Sequence, residues 1–420
     1  MKRQTLWTYD FTVITIGSFV SLVGGVLSSF AVSLVVLDYT GSTFLYMLFN
    51  VVYQIPMLVC PVLAGPYLDR VSRKRVIYSL DFLSTGIYLV LFLLLREGWF
   101  SYPALLAANA LTGAIGSVYG VAYDSFYPNL IAEGNFGKAY SITSLLGDVA
   151  CLTYPLGAIL YQQLGGAAAL FAINAVCFLT AACFETTIRF RETHMEEEAP
   201  QETAGSAFAQ FRRELREGMD YIRGEKGLLL IALYFMASDL AGGTEQLMLP
   251  YFLNHAERFA AWPVAAAALY SILSNFTTVG RLVGGGIQYK LRIPREKKFS
   301  AALAAYVAIN VISGTLLFLP VPLMAVWFFL SGALGVTSYT IRSAATQSYV
   351  PDNRRARFNG TFQMMCSVGG IIGSLAVGAL AEVLPERPLI VVSNLLALGA
   401  VYLFIWRGRE HVKKIYNRDV

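Results

Sequence analysis

Ionisable side chains set deep inside apolar runs are the residues of this chain most able to do chemistry. Asp239 lies about twelve residues into an apolar stretch that opens near Gly227, ~18 Å along a helix and close to the middle of a bilayer. Ser238, Gly242, Gly243, Thr244, Glu245 and Gln246 surround it with a polar, flexible interruption. Asp148 sits similarly in an earlier apolar run, and Arg281 lies in a later one. A charge in hydrocarbon costs several kcal/mol and by default marks a functional site. Here that chemistry is carriage of a proton or recognition of a polar group in a cavity. The other reading, for Asp239 and Arg281, is a static ion pair that satisfies both charges. Asp148 stands equally between function and pairing, whereas Asp81 and Asp124 fall nearer one surface and Asp38 suits solvent.

The remaining reactive types narrow this further. His194, His255 and His411 all lie outside the apolar runs, so a proton relay within the membrane must use carboxylates. Cys60, Cys151, Cys177, Cys183 and Cys366 have no metal-type or redox-type spacing and read as packing thiols. No metal or cofactor is expected. Tyr119, Tyr123, Tyr154, Phe235, Phe276 and Phe362 would suit a cavity for a bulky amphiphile, although such residues also pack or sit at interfaces.

These groups must be positioned by membrane-spanning helices. Hydrophobic residues make up 56% of the 420 and charged ones 14%, well below the quarter typical of soluble domains. About twelve apolar segments of roughly twenty residues follow one another, each long enough to cross ~30 Å of hydrocarbon; they run from Phe11–Leu37 to Leu389–Trp406 and include Trp262–Ile287 as the eighth. With the N-terminus inside, nearly all of the 32 Lys and Arg fall in cytoplasmic loops, tails or helix ends; the exceptions are Arg96, Arg258 and Arg387 outside and Arg281 within a span. The net charge of +5 then anchors the protein to an anionic inner leaflet, and nucleic acid is not an expected partner. The first apolar run is too long for a signal peptide and reads as a retained span.

The chain reads as two copies of one unit. Leu111-Thr112-Gly113-Ala114-Ile115-Gly116 returns as Leu330-Ser331-Gly332-Ala333-Leu334-Gly335, and Ser21-Leu22-Val23-Gly24-Gly25 aligns with Asp239-Leu240-Ala241-Gly242-Gly243 at almost the same offset. The division is residues 1–190 as an N-terminal six-helix bundle, 191–226 as a cytoplasmic linker, 227–408 as a C-terminal bundle and 409–420 as a cytoplasmic tail. In the linker, Phe208, Phe211, Leu215, Met219 and Ile222 recur at helical spacing among arginines. That helix either lies on the inner membrane surface or packs under a bundle. Pro155, with Gly242 and Gly243, marks places where spans bend or gate.

Between the second and third spans stands Gly65-Pro66-Tyr67-Leu68-Asp69-Arg70-Val71-Ser72-Arg73-Lys74-Arg75. It resembles the signature loop of the major facilitator superfamily, keeping Gly65, Leu68, Asp69, Arg70, Arg73 and Lys74 but carrying Ser72 where glycine is common. The segments Phe211–Leu230 and Tyr349–Arg357 are similar to the branch that exports macrolides and siderophores by drug:proton antiport. The resemblance implies an all-α integral membrane fold, twelve helices in two pseudo-symmetric bundles, with the substrate site between the halves. It also implies that Asp69 bridges a helix N-terminus of the other half, with Arg70 or Arg73 in the same network, as a latch on the cytoplasmic gate; Lys74 and Arg75 only enforce topology. Two departures stand out: the fourth span lacks the arginine of other antiporter branches, and their fifth-span Gly-Pro pattern survives only as Tyr154-Pro155-Leu156-Gly157; the second half's Gly286–Arg295 has also lost the aspartate, so the latch is asymmetric.

The expected function is export of a hydrophobic or amphipathic small molecule by alternating access with inward proton flow. The expected place is a bacterial inner membrane, as a monomer with both termini cytoplasmic. An importer or flippase of a metabolite or lysolipid is the rival within transport. A membrane-embedded enzyme or receptor is more remote, since no metal, nucleotide or nucleophile motif occurs in the cytoplasmic segments.

Overall fold

A computed structural model of the chain describes residues 6–68, 71–132, 135–192, 207–290 and 293–418. Hydrocarbon offers no partner to an N–H or C=O, so an apolar chain satisfies its backbone within helices or a closed barrel; here the described residues form helices and no strand. In chain order these are α1 (Tyr9–Thr40), α2 (Thr43–Leu68), α3 (Arg73–Arg96), α4 (Tyr102–Phe126), α5 (Phe136–Cys151), α6 (Tyr154–Gln163), α7 (Ala167–Thr186) and α8 (Ala207–Gly224). There follow α9 (Lys226–Gly242), α10 (Met248–Asn254), α11 (Ala266–Lys290), α12 (Lys298–Thr315), α13 (Val321–Tyr349), α14 (Asp352–Ala381), α15 (Glu386–Ala400) and α16 (Arg409–Tyr416).

Among the described residues, eleven helical segments are long and apolar enough to cross a membrane, with α5 and α6 acting as one span and α9 and α10 as another. The segment read as the eighth span is α11, whose 25 residues reach about 37 Å. It is long enough to cross, but Asn275, Arg281 and Gln288 dilute its apolar content.

Local chemistry explains where the helices stop. Thr8 caps α1 by accepting from Phe11 N, and Gly41 ends it in the left-handed region at φ 61°, its N–H returned to Leu37 O. The fifth span breaks after Cys151 because the ring of Pro155 would clash with the carbonyl four residues earlier, which is that of Cys151 itself. In the seventh span Gly242 ends α9, and Gly243–Leu247 tightens into a 3-10 turn before α10.

The chain divides into two compact units, one of residues 1–41 and 49–209 and the other of residues 42–48 and 210–420. The core of the first includes Phe11, Ile14, Leu68, Ile77, Phe126 and Tyr127. That of the second includes Ile231, Tyr234, Phe299, Tyr306, Phe358 and Ile405. In the second unit α8 is packed rather than free: Ile222 is fully buried, Glu217 pairs with Arg357 at 2.9 Å, and a Cβ on Gly218 would lie 2.8 Å from Arg357 O. For this part of the linker the packed alternative is the one observed.

The duplicated hexapeptide has a physical reason. In lipid, helices adhere where small residues let backbones touch. A Cβ on Gly113 would sit 2.5 Å from Tyr53 O on α2, and one on Gly332 would overlap Thr277 O on α11 and come within 3.0 Å of Arg281 N. The second glycine of each copy is looser: at Gly116 the nearest atom is 3.6 Å away, and at Gly335 nothing lies within 4 Å. Gly332→Ala and Gly113→Ala should therefore each destabilise by about 1–3 kcal/mol, while Gly335→Ala should be neutral. Thermal unfolding of the purified protein checks this; equal midpoints for Gly332→Ala and Gly335→Ala would contradict the packing assigned here.

Candidate functional site

In the second unit, backbone contact between α9 and α14 sets the site. Glycines of α14 abut α9: Gly369 meets Met236 O and Gly373 meets Leu240 O too closely for any side chain, while a Cβ on Gly243 would lie 2.5 Å from the Gly373 carbonyl carbon. With the helices this close, the Asp239 carboxyl on α9 hydrogen-bonds the Cys366 thiol on α14. The cation acting on Asp239 is Arg342 of α13, in place of the Arg281 considered from the sequence. Asp239 is half-buried and Arg281 is exposed on α11.

Arg342 lies two turns from the end of α13 in an aromatic box. Its guanidinium carbon is 4.9 Å from the Phe235 ring centroid, 4.7 Å from Phe362 and 5.3 Å from Tyr339. Such contacts contribute about 0.5–2 kcal/mol each, the more so where water is excluded. Arg342 Nε is buried without a hydrogen-bond partner, a donor left for an acceptor from elsewhere. Further along the seventh span, Glu245 is exposed in the 3-10 turn and feels the charge of Asp239. Gln246 donates to Ser374 Oγ at 2.9 Å and keeps a buried, unpartnered Oε1. The arrangement joins aromatic faces, a cation and two carboxyls along one stretch of the bundle, suited to holding an amphipathic molecule with an acceptor group.

The signature loop belongs to the first unit. Asp69 and Arg70 lie outside the described residues, and Gly65 falls in the last turns of α2. Leu68 is buried in the core. Arg73 opens α3: its backbone N–H donates to Glu192 Oε1 at 2.9 Å and its side chain to Ser125 O at 3.3 Å. Ser72, in the position where glycine is common, is the N-cap of α3, accepting from Arg75 N at 3.2 Å and donating to Glu192. A carboxylate beside a helix N-terminus gains about 0.3–1 kcal/mol from the macrodipole, and Glu192, which is buried, fills that role here. Lys74 does more than set topology, since its Nζ donates to Ile188 O at 3.0 Å.

Asp148 is half-buried on α5, one turn before the break that Pro155 imposes. The sequence reading missed three residues. Arg342 was counted as a helix-end cation, although Tyr339 three residues before it signals a shared face. Glu192 stands in the chain leaving α7. Glu185, near the end of the sixth span, meets Asp81 of α3 inside the first unit. Among the described residues no group of three His, Cys, Asp or Glu is placed to hold a metal ion.

A profile described as the Major Facilitator Superfamily matches residues 14–373 and again 292–419. The chain is 22% identical over 238 residues to Macrolide efflux protein A of Streptococcus pyogenes, covering 56% of each. It is 22% identical over 237 residues to the uncharacterised MFS-type transporter YkuC of Bacillus subtilis, covering 56% of this chain and 54% of that one. The chain thus spans little more than half the length of the curated relatives it matches. Among solved structures, peptide transporter POT in complex with sulfate superposes with a TM-score of 0.71 at 11% identity, covering 99% of this chain and 97% of that one. Nucleoside transporter NupG does so with 0.68 at 13% identity, covering 95% and 99%. At these identities the likeness is one of fold.

If Asp239 and Arg342 act on each other as the structure arranges them, a double-mutant cycle should expose it. Asp239→Asn and Arg342→Gln should each lower the unfolding midpoint, and the double variant should recover part of the loss. The expected coupling is about 0.5–3 kcal/mol; strict additivity would dissolve the pair.

Proposed function

The chain belongs to the Major Facilitator Superfamily and is a multi-pass membrane transporter, not an enzyme; we propose that it exports a hydrophobic or amphipathic small molecule by alternating access, driven by inward proton flow. The observation that carries this reading is the box around Arg342. Three aromatic rings and a half-buried carboxyl surround a guanidinium whose Nε lacks an acceptor, so a flat apolar body bearing one acceptor would satisfy every group present. The similarity to Macrolide efflux protein A supports the same class of cargo and the outward direction.

In this reading Asp239, Arg342 and Glu245 face the cargo, and Asp148 and Arg281 are further ionisable groups of the transport path. Pro155, Gly242 and Gly243 let the fifth and seventh spans flex. Asp69, with Gly65, Leu68, Arg70 and Arg73, latches the cytoplasmic gate, and no equivalent aspartate stands in the second half. The division of basic residues supports a bacterial plasma membrane location with both termini inside.

Two measurements test it. In everted membrane vesicles energised by respiration, a fluorescent amphipathic dye or a labelled macrolide should accumulate, and an ionophore that collapses the pH gradient should abolish this. Accumulation confined to right-side-out vesicles would make the protein an importer and end the proposal. Arg342→Gln should reduce accumulation at least tenfold, a loss of about 1.4 kcal/mol or more, and Asp69→Asn should remove most transport while leaving insertion intact. For orientation, Glu97→Cys should react with impermeant maleimide in intact cells and Lys297→Cys should not; the reverse pattern inverts the topology.

A further inference from the structure

The interior of the first unit holds two carboxyl groups and, among the described residues, no cation facing them. Asp81 on α3 is 2% exposed and Glu185 on α7 is fully buried. The two side chains are in hydrogen-bonding contact. Tyr119 of α4 donates its hydroxyl to Glu185 Oε1 at 3.1 Å, and Ser18 of α1 lies 3.5 Å from that same hydroxyl. Gly17 of α1 closes the site: a Cβ there would come 3.5 Å from Glu185 Cγ. Asp81 Oδ2 and Glu185 Oε2 are both buried with no donor.

A carboxylate can only accept a hydrogen bond, so two carboxyls in hydrogen-bonding contact require a proton between them. Two ionised carboxylates side by side in a dry core would be prohibitively costly, and such a dyad takes and releases protons as one unit. A purely structural role accounts poorly for the site, because a buried polar cluster of this size could be replaced by apolar packing at no loss of stability. We propose that Asp81 and Glu185 form a proton-binding site in the first unit, separate from the residues that face the cargo. In the arrangement observed the pair holds one proton and a charge of −1. Uptake of a second from water forms an O–H bond at the free carboxylate and brings the pair to zero; release reverses the step.

The surroundings are suited to that exchange. From α4 the titratable groups facing the pair are Tyr119 and Tyr123, stacked with ring centroids 6.0 Å apart. From α1, Gly17 and the uncharged Ser18 face it, and Tyr161 of α6 is engaged with Asp38. On α3 itself the cations stand at its first turn, Arg75 about 9 Å and Lys74 about 10 Å away along the helix, and Lys74 is bonded to Ile188 O at 3.0 Å. A change of one charge on the pair therefore goes uncompensated locally and must be felt by α1, α3, α4 and α7, the helices that would move in alternating access. That the exchanged proton drives transport rests on the proposed function; the site itself does not.

The test is built to separate the two. Infrared difference spectra of the purified protein in lipid, recorded without cargo between about pH 5.5 and 8, should show a protonated-carboxyl stretching band that appears at the acid end. Glu185→Gln and Asp81→Asn, which keep hydrogen-bonding capacity, should each remove or shift that band. Wild-type spectra in both variants, or no band in the wild type, would overturn the site. Should either variant fail to purify as a monodisperse species, Tyr119→Phe takes its place: loss of the hydroxyl donor should shift the band's midpoint, and an unmoved midpoint counts against the proposal. In proton-driven vesicles, Glu185→Gln should exchange cargo across the membrane at near wild-type rates yet fail to concentrate it. Uphill transport equal to wild type would overturn the coupling role. Absence of proton-driven transport in the wild type itself, with the band present, would reject the proposed function and leave the proton site supported.

Discussion

Backbone contact at glycine is the interaction on which the rest of this structure depends. Lipid tails are as apolar as leucine, so burying leucine between two helices gains little over leaving it in the bilayer. What remains is dispersion between closely fitted surfaces and polar bonds that hydrocarbon cannot replace. Gly113 on Tyr53, Gly332 on Thr277 and Gly373 on Leu240 are places where one helix lies directly on the carbonyl of another. Each such contact fixes the phase of both helices, and with it the direction in which every polar side chain nearby must project.

Polar bonds then use the positions those contacts create. Asn174 donates to Ser28 at 2.6 Å, Asn109 to Phe49 O at 2.7 Å and Gln288 to Thr337 at 2.7 Å, each tying two spans together. The same logic produces the ionisable sites. Asp239 reaches Cys366 because Gly369 and Gly373 bring α14 onto α9, and Glu185 reaches Tyr119 because Gly17 leaves room for it beside α1. Function in such a bundle is placed by small residues that themselves do no chemistry.

The fold was legible in the sequence and the sites only in part, for one physical reason. Spans are announced by their length and apolarity, a property of each segment taken alone, and the duplicated glycine hexapeptide marked the same helix contact in each unit. Even α11, diluted by Asn275 and Arg281, forms a helix long enough to cross. Pairing between spans depends instead on rotation about each helix axis, which is set by partners distant in sequence. Asp239 was visible as a charge at depth, but its cation could not be told apart from Arg281 until α13 was seen to bring Arg342 over Phe235 and Phe362. Glu185 was hidden because a carboxylate one residue from a helix end looks solvated, whereas the end of α7 is roofed by α1, α3 and α4. Ser72 looked like a flaw in the loop motif and proves to be the cap of α3.

The duplication placed two similar scaffolds in one chain and their chemistry then diverged. Where the first unit keeps Ser21, the second has Asp239, and where the first has Leu27, the second has Glu245. The first unit encloses one acid pair, Asp81–Glu185, with no cation facing it among the described residues; the second sets a half-buried acid beside a guanidinium held by aromatic rings. The charge on an enclosed acid pair changes only with a proton, whereas an acid beside an arginine loses that neutralisation when a ligand displaces one of the two partners. In the proposed reading the cargo and the exchanged proton meet different carboxyls, so the two do not compete for the same oxygen atoms, and coupling between them would be reciprocal, each altering the other's affinity by the same factor.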